Sequence, residues 1–228
     1  MNIICTICAR GNSLGLKNKN ILKINDKPLI YYTVKIAKDS KIFDKIVVSS
    51  DSKSILNIAN KLGVNLSILR PKRLASKNIS KLPAIRHAVK TSEKKFKLNF
   101  DYIVDLDICS PLREIKDIKN SLKIFKKKKY SNLITVTDPE RNPYFNMVEK
   151  KKNKIQLVCK TNKKIYSRQK APKVFAMNSS IYIWTKNTLF NSDNLFHDKT
   201  GIYFMPKLRS IDIDDKFTLN YVKYLMKK

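Results

Sequence analysis

Three groups of residues have the types and spacing to do chemistry. The first follows Ile3-Ile4-Cys5-Thr6-Ile7-Cys8-Ala9, an apolar run that stops abruptly at Arg10-Gly11-Asn12-Ser13-Leu14-Gly15-Leu16-Lys17-Asn18-Lys19-Asn20. A buried strand feeding such a turn reads as an anion-binding loop: the glycines let backbone N–H groups point inward, and Arg10, Lys17 and Lys19 bring positive charge to a polyphosphate. The spacing is neither Gly-x4-Gly-Lys-Ser/Thr nor Gly-x-Gly-x-x-Gly, so a plain solvated turn is the competing reading. The second group is Asp105 and Asp107, at the end of the apolar stretch 102–108, where a strand's period of two puts both carboxylates on one face. The third is Asp212-Ile213-Asp214-Asp215. Carboxylates at i and i+2 on an extended segment suit magnesium, a hard cation that takes oxygen ligands. Capping the helix that follows is the alternative for Asp214 or Asp215, but a cap needs only one of the three acids.

The elements that must position these groups alternate along the chain. Residues 28–38 carry Leu29, Ile30, Thr33, Val34 and Ala37 on one stripe, a helix begun by Pro28. Ile46-Val47-Val48 reads as a second buried strand, and Asp51 stands where an N-cap would precede the helical pattern of Ile55, Leu56, Ile58, Ala59 and Leu62. Gly63 should end that helix, 64–69 should form a third strand, and Arg70-Pro71 should sit at the sheet edge where open α/β folds bind ligands. A helix is expected from Leu82 toward Lys95, with His87 packed on it, then another over 115–125 and a strand over 133–136. Between 138 and 173 the pattern changes: Pro139, Pro143 and Pro172, with alternating pieces at 144–148 and 155–158, predict a hairpin arm projecting from the sheet. A final helix carries Phe217, Leu219, Tyr221, Val222 and Leu225. The expectation is one α/β domain over 1–228, Rossmann-like, with a mostly parallel sheet.

Composition narrows the classes. With 228 residues, 43% of them hydrophobic, the chain can fill one α/β core and is short for two domains. No stretch reaches the roughly 18 apolar residues of a membrane span, and the chain opens directly into a strand, so a cytoplasmic protein without a leader is expected. Cys5, Cys8, Cys109 and Cys159 then read as reduced thiols, and Cys5 and Cys8 would point to opposite faces of their strand rather than form a metal pair. The net charge of +30 invites a nucleic-acid reading, yet the lysines are spread over every helix without interleaved aromatics. A solvated lysine surface that attracts anionic substrates is the preferred account.

The loop 9–20 resembles the signature loop of the CMP-sialic acid synthetase family, cytidylyltransferases that activate nine-carbon acidic sugars. Lys27-Pro28-Leu29-Ile30, the block 43–52, Arg70-Pro71, Ser110-Pro111-Leu112-Arg113, Asn178 with Ile181-Tyr182-Ile183, and 210–214 follow in that family's order. The resemblance implies a three-layer nucleotide-diphospho-sugar transferase fold whose arm pairs with a second subunit and closes over its sugar site, making a homodimer. It implies CTP and a nonulosonic acid as substrates, magnesium as cofactor, and a CMP-sugar with pyrophosphate as products. Arg10, Lys19 and Asp214 would be catalytic. Arg10, Ser13, Lys19, Asn20 and Arg70 would hold the nucleotide; Asp107, Arg168, Gln169, Asn178 and Tyr182 would meet the sugar; Asp212 and Asp214, with Asp107, would hold metal. The chain departs from the sialate pattern at Ala176, Ser179 and Asp107, where those enzymes carry Arg, Gly and Gln, and at 77–81, which is lysine-bearing where they are acidic and hydroxyl-rich. Two other readings are a metal-dependent glycosyltransferase, which would transfer sugar without releasing pyrophosphate, and a basic nucleic-acid-binding protein.

Overall fold

A computed structural model describes residues 1–12, 15–76, 78–162 and 164–227. The chain runs β1 (Ile3–Ala9), β2 (Lys23–Ile24), β3 (Lys27–Pro28), α1 (Leu29–Ser40), β4 (Lys45–Ser50), α2 (Lys53–Lys61), β5 (Leu66–Leu69) and α3 (Leu82–Phe96). It continues through β6 (Tyr102–Leu106), α4 (Ile115–Lys127), β7 (Asn132–Thr137), β8 (Val148–Lys151), β9 (Lys154–Leu157), β10 (Ala176–Thr185), α5 (Lys186–Asn191), β11 (Thr200–Phe204) and α6 (Lys216–Leu225). The main sheet has seven strands in the order β11-β7-β10-β6-β1-β4-β5. Every pairing in it is parallel except the two made by β10, which runs antiparallel between β6 and β7.

Strand period divides the interior into two cores. Ile3, Cys5, Ile7 and Ala9 of β1 face a layer that includes Val34 and Ala37 of α1, Ile55 of α2, Ile118 of α4 and Val222 of α6. Ile4 faces the other way, with Val47, Ile85 and Val89 of α3 and Leu189 of α5. Helices therefore cover both faces of a sheet whose central strand is apolar on both sides, which is why β1 reads as an unbroken run. Cys5 and Cys8 fall on opposite faces as expected, and all four cysteines are unpaired. The predicted helices and strands stand with small shifts: the third strand begins at Leu66, and Gly63 ends α2 with φ of 69°, a conformation costly to residues with a Cβ.

Three expectations change. Asp51 does not cap α2: Ser52 occupies the N-cap position, and the Asp51 carboxylate turns back to accept from Gly11 N–H at 2.9 Å. An acidic residue ahead of a helix had a longer-range donor available, and that donor won. In the arm, residues 143–146 form turns wound around Asn142, whose side chain accepts from Tyr144 N–H. The hairpin is instead β8 with β9, so the first of the two alternating pieces contributes only its last residue. Finally, β11 and α5 were not expected. Gly201 weakens the strand pattern, yet it is needed there: a Cβ would lie 2.1 Å from the Tyr130 ring that covers it.

No described helix is long and apolar enough to cross a membrane.

Candidate active site

The parallel strands β1, β4 and β6 end together, and a cleft of about 390 Å³ opens beyond their carboxyl ends. The loop after β1 forms one wall, the segment before α3 another, and 107–109 with 212–214 the floor. Of the sequence-predicted residues, Arg10, Lys19, Asn20, Arg70, Asp107, Asp212 and Asp214 all line it. Ser13 lies outside the described residues.

The first wall is built by local bonds that hold charge in place. Asn20 is buried and donates its side-chain N–H to the Arg10 carbonyl at 2.8 Å, closing the loop on itself. Lys19 leads a 3-10 turn and donates to Asp214 Oδ1 at 3.0 Å. Burial works against the lysine's charge, but Cys109 and Asp214 beside it hold the ammonium above its ordinary range. Gly15 has the tightest fit: a Cβ there would stand 2.2 Å from the Asp214 carbonyl oxygen, so the loop and the acidic segment touch backbone to backbone. Arg10 reaches over the cleft to the Ser76 carbonyl. Arg70 is buried and donates to the Ala9 carbonyl at 2.9 Å, with Asp51 Oδ1 at 3.6 Å. Its guanidinium, together with Asp51, thus braces both sides of the turn between Ala9 and Gly11.

The floor is carboxylate. Asp215 alone caps α6, its side chain accepting from Thr218 N–H in a capping box. That leaves Asp212 and Asp214 for other work. Asp212 Oδ1 is buried without a hydrogen-bond partner, and burial with the nearby charges of Asp107 and Asp214 pushes its carboxyl up to about 7. A buried carboxylate oxygen in that condition calls for a cation, and the Asp212–Asp214 pair is of the all-oxygen type that suits magnesium. Asp107 is a poorer fit. Its Oδ1 accepts from Cys109 N–H at 2.9 Å and its Oδ2 is 2.9 Å from Lys81 Nζ. Among the described residues no three acid, imidazole or thiolate groups converge as a metal cage.

Sequence reasoning missed several residues that shape this floor. Lys81 sits immediately before α3 and lies 2.6 Å from Asp105 Oδ2 as well as bonding Asp107. Asp105 and Asp107 do share a face, as the period of two required, and the lysine is what they share. Arg113 is buried and donates to the Ser180 carbonyl at 2.6 Å and to the Asp107 carbonyl at 3.1 Å, tying the end of β6 to β10. Burial, only partly offset by Asp107, brings its guanidinium down to about 10. Arg209 grips buried Asp117 with two parallel bonds of 2.9 and 3.0 Å, tying the segment before Asp212 to α4. The Ser-Pro-Leu-Arg block marked Arg113, and the lysine-bearing stretch 77–81 stood out without showing which carboxylates Lys81 would meet; nothing local marked Arg209.

The sugar-side residues are placed less simply. Asn178 is buried, donating to Ser210 Oγ and accepting from Thr135 Oγ1, so its amide holds the β10 bulge to β7. Tyr182 stacks on Trp184 and donates to Ser179 Oγ, supporting the cleft from beneath. Ser179 itself has φ of 54°, the left-handed conformation that a glycine adopts freely, and it lines the cleft. Arg168 and Gln169 lie away from the cleft in a hollow at the base of the arm, where Arg168 donates to the Pro139 carbonyl. Asp212 and Asp214 also form the wall of a second hollow, lined on its far side by Asp138, Asn178 and Tyr221.

A cationic loop facing a carboxylate pair across the strand ends of an open α/β sheet is equipped to hold a nucleoside polyphosphate and move one of its phosphoryl groups. Comparison with known proteins agrees. A family model described as cytidylyltransferase matches residues 4–225. The post-translational flagellin modification protein B of Campylobacter coli is 41% identical over 99% of this chain and 95% of its own length. The CMP-N,N'-diacetyllegionaminic acid synthase of Campylobacter jejuni is 42% identical over 98% of this chain and 94% of its own. A solved structure of CMP:2-keto-3-deoxy-manno-octonic acid synthetase complexed with CTP shares the fold with a TM-score of 0.71, covering 100% of this chain and 99% of its own at 14% identity. Since the match runs from the first strand to the last helix and extends to relatives of nearly the same length, the chain belongs to the cytidylyltransferase family.

Proposed function

We propose that the protein transfers CMP from CTP to a nonulosonic acid of the legionaminate type and releases pyrophosphate. The observation that carries this reading is the position of Asp212 and Asp214, which wall both the cationic cleft and the second hollow, so that one carboxylate pair faces two substrates. The nucleotide takes the cleft, where Arg10 and Lys19 neutralise the triphosphate and Asn20 keeps the loop closed around it. Arg70 acts one step back, by holding the turn. The sugar acid takes the side bounded by the arm, and the name of the 42%-identical relative is what favours a legionaminate-type acid.

The reaction is an in-line displacement. The sugar's 2-hydroxyl oxygen bonds to the α-phosphorus as the bond from that phosphorus to the β-phosphate bridging oxygen breaks, and pyrophosphate departs toward Lys19 and Arg10. The hydroxyl proton passes to Asp214, whose side chain is 75% exposed and bears Lys19 on one oxygen. A magnesium ion bound at Asp212 and Asp214 would supply Lewis-acid stabilisation of charge on the phosphate oxygens. The enzyme works in the cytoplasm, where its nucleotide substrate is made. It works as a homodimer built on the arm, whose Met147, Val148, Ile155, Val158 and Tyr166 are exposed apolar groups calling for cover. Dimerisation would bring Arg168 and Gln169 of one protomer toward the partner's sugar site.

The test is pyrophosphate release from CTP with magnesium, offered legionaminic, sialic, pseudaminic and Kdo-type acids in turn. Release with the legionaminate-type acid foremost is expected. No release with any of them, or sugar transfer from a nucleotide-sugar without pyrophosphate, would overturn the reading.

A further inference from the structure

Asp105 and Asp107 form a second carboxylate pair beside the cleft, and each has one oxygen bonded to the protein's own donors. Thr6 Oγ1 donates to Asp105 Oδ1 at 2.8 Å, and Cys109 N–H donates to Asp107 Oδ1 at 2.9 Å. The two remaining oxygens converge on a single point, occupied by Lys81 Nζ at 2.6 and 2.9 Å. Asp105 is wholly buried, so its charge needs a permanent partner. Two carboxylate oxygens meeting at one centre also suit a divalent cation with oxygen ligands. Here the centre is filled by an ammonium fixed to the chain at the helix start.

We propose that Lys81 is a built-in cation that takes the place of a divalent ion at the Asp105–Asp107 pair, so that the only metal the floor recruits is the one at Asp212 and Asp214. Lys81 lines the cleft with a side chain 30% exposed, and it neutralises one of the two carboxylates it faces without depending on metal concentration. The cation exchange does not depend on the proposed function.

Manganese(II) titration of the nucleotide-free protein, followed by the EPR signal of free ion, tests it without measuring turnover. Wild type should show no site that depends on Asp107, so Asp107→Asn should titrate as wild type does. Lys81→Met should gain about one additional equivalent of bound manganese per chain, and Lys81→Met with Asp107→Asn should lose it again. Lys81→Arg, which keeps the charge, should gain none. A wild-type site that vanishes in Asp107→Asn, or a folded Lys81→Met that binds no more than wild type, would overturn the proposal. Should Lys81→Met fail to fold, Lys81→Gln takes its place in the titration, and a wild-type site lost in Asp107→Asn still overturns the proposal. Absence of pyrophosphate release would sink the proposed function and leave these titrations unaffected.

Discussion

Replacing Asp51 separates two accounts of one residue. As a helix cap it would contribute to stability alone. In the structure it braces the phosphate-side loop instead, accepting from Gly11 N–H at 2.9 Å and standing 3.6 Å from the buried Arg70 guanidinium. A hydrogen bond to a charged acceptor contributes about 1.5–3 kcal/mol. Stranding a buried charge costs about 3–5 kcal/mol in full, but the 3.6 Å separation and the 23% exposure of the Asp51 side chain put this pair well below that. Asp51→Ala should therefore destabilise by about 2–3 kcal/mol, a fall in melting temperature of about 5–10 °C. Asp51→Asn, which can still accept from Gly11 but cannot neutralise Arg70, should cost about 1 kcal/mol. Urea unfolding with an unchanged m-value measures both. The discriminating readout is kinetic: the brace shapes the loop that carries Arg10 and Lys19, so KM for CTP should rise by about tenfold in Asp51→Ala. A loss of stability with KM for CTP unmoved would return Asp51 to the role of a cap and refute the brace.

Other substitutions probe the remaining parts of the site. Lys19→Ala should lower kcat on the order of 100-fold or more with the fold intact, because its charge matters most as pyrophosphate leaves; the steady-state rate and a circular dichroism spectrum check this together. Gly15→Ala should force the loop away from the Asp214 carbonyl and cut kcat/KM by about 100-fold while stability changes little, measured by rate and thermal melt. Ser179→Gly should stabilise the protein by about 1 kcal/mol in urea unfolding, since it relieves a left-handed backbone with φ of 54°. Arg209→Ala strands the buried Asp117 carboxylate and should cost about 3 kcal/mol, visible as a lowered urea midpoint; Arg209→Lys should recover only part, lacking the paired donors.

What could be read from the chain follows the range of the forces involved. Strand and helix patterns over 3–96 were legible because burial on the two faces of β1 and on single stripes of α1, α2 and α3 writes itself locally. The acidic floor was legible for the same reason: Asp105 with Asp107, and Asp212 with Asp214, depend only on a period of two. The partners of those carboxylates were not. Lys81 meets Asp107 across 26 positions, Arg209 meets Asp117 across 92, and Gly11 meets Asp51 across 40, and no local rule ranks such donors against a nearby cap. The short strand β11 was hidden by Gly201, whose reason lies in the Tyr130 ring rather than in the strand. The family resemblance supplied the order of the blocks, while the physical role of Arg113, and the positive φ that makes Ser179 an unusual occupant of its place, came only from the fold.

The most direct test of the central claim follows the oxygen that joins the two substrates. With the sugar acid labelled by oxygen-18 at its 2-hydroxyl, the phosphorus NMR signal of the CMP-sugar should show the isotope shift at the α-phosphorus, and the pyrophosphate formed in equal amount should carry no label. Label in pyrophosphate, or a product whose α-phosphorus bears none, would contradict attack by the sugar hydroxyl at the site described.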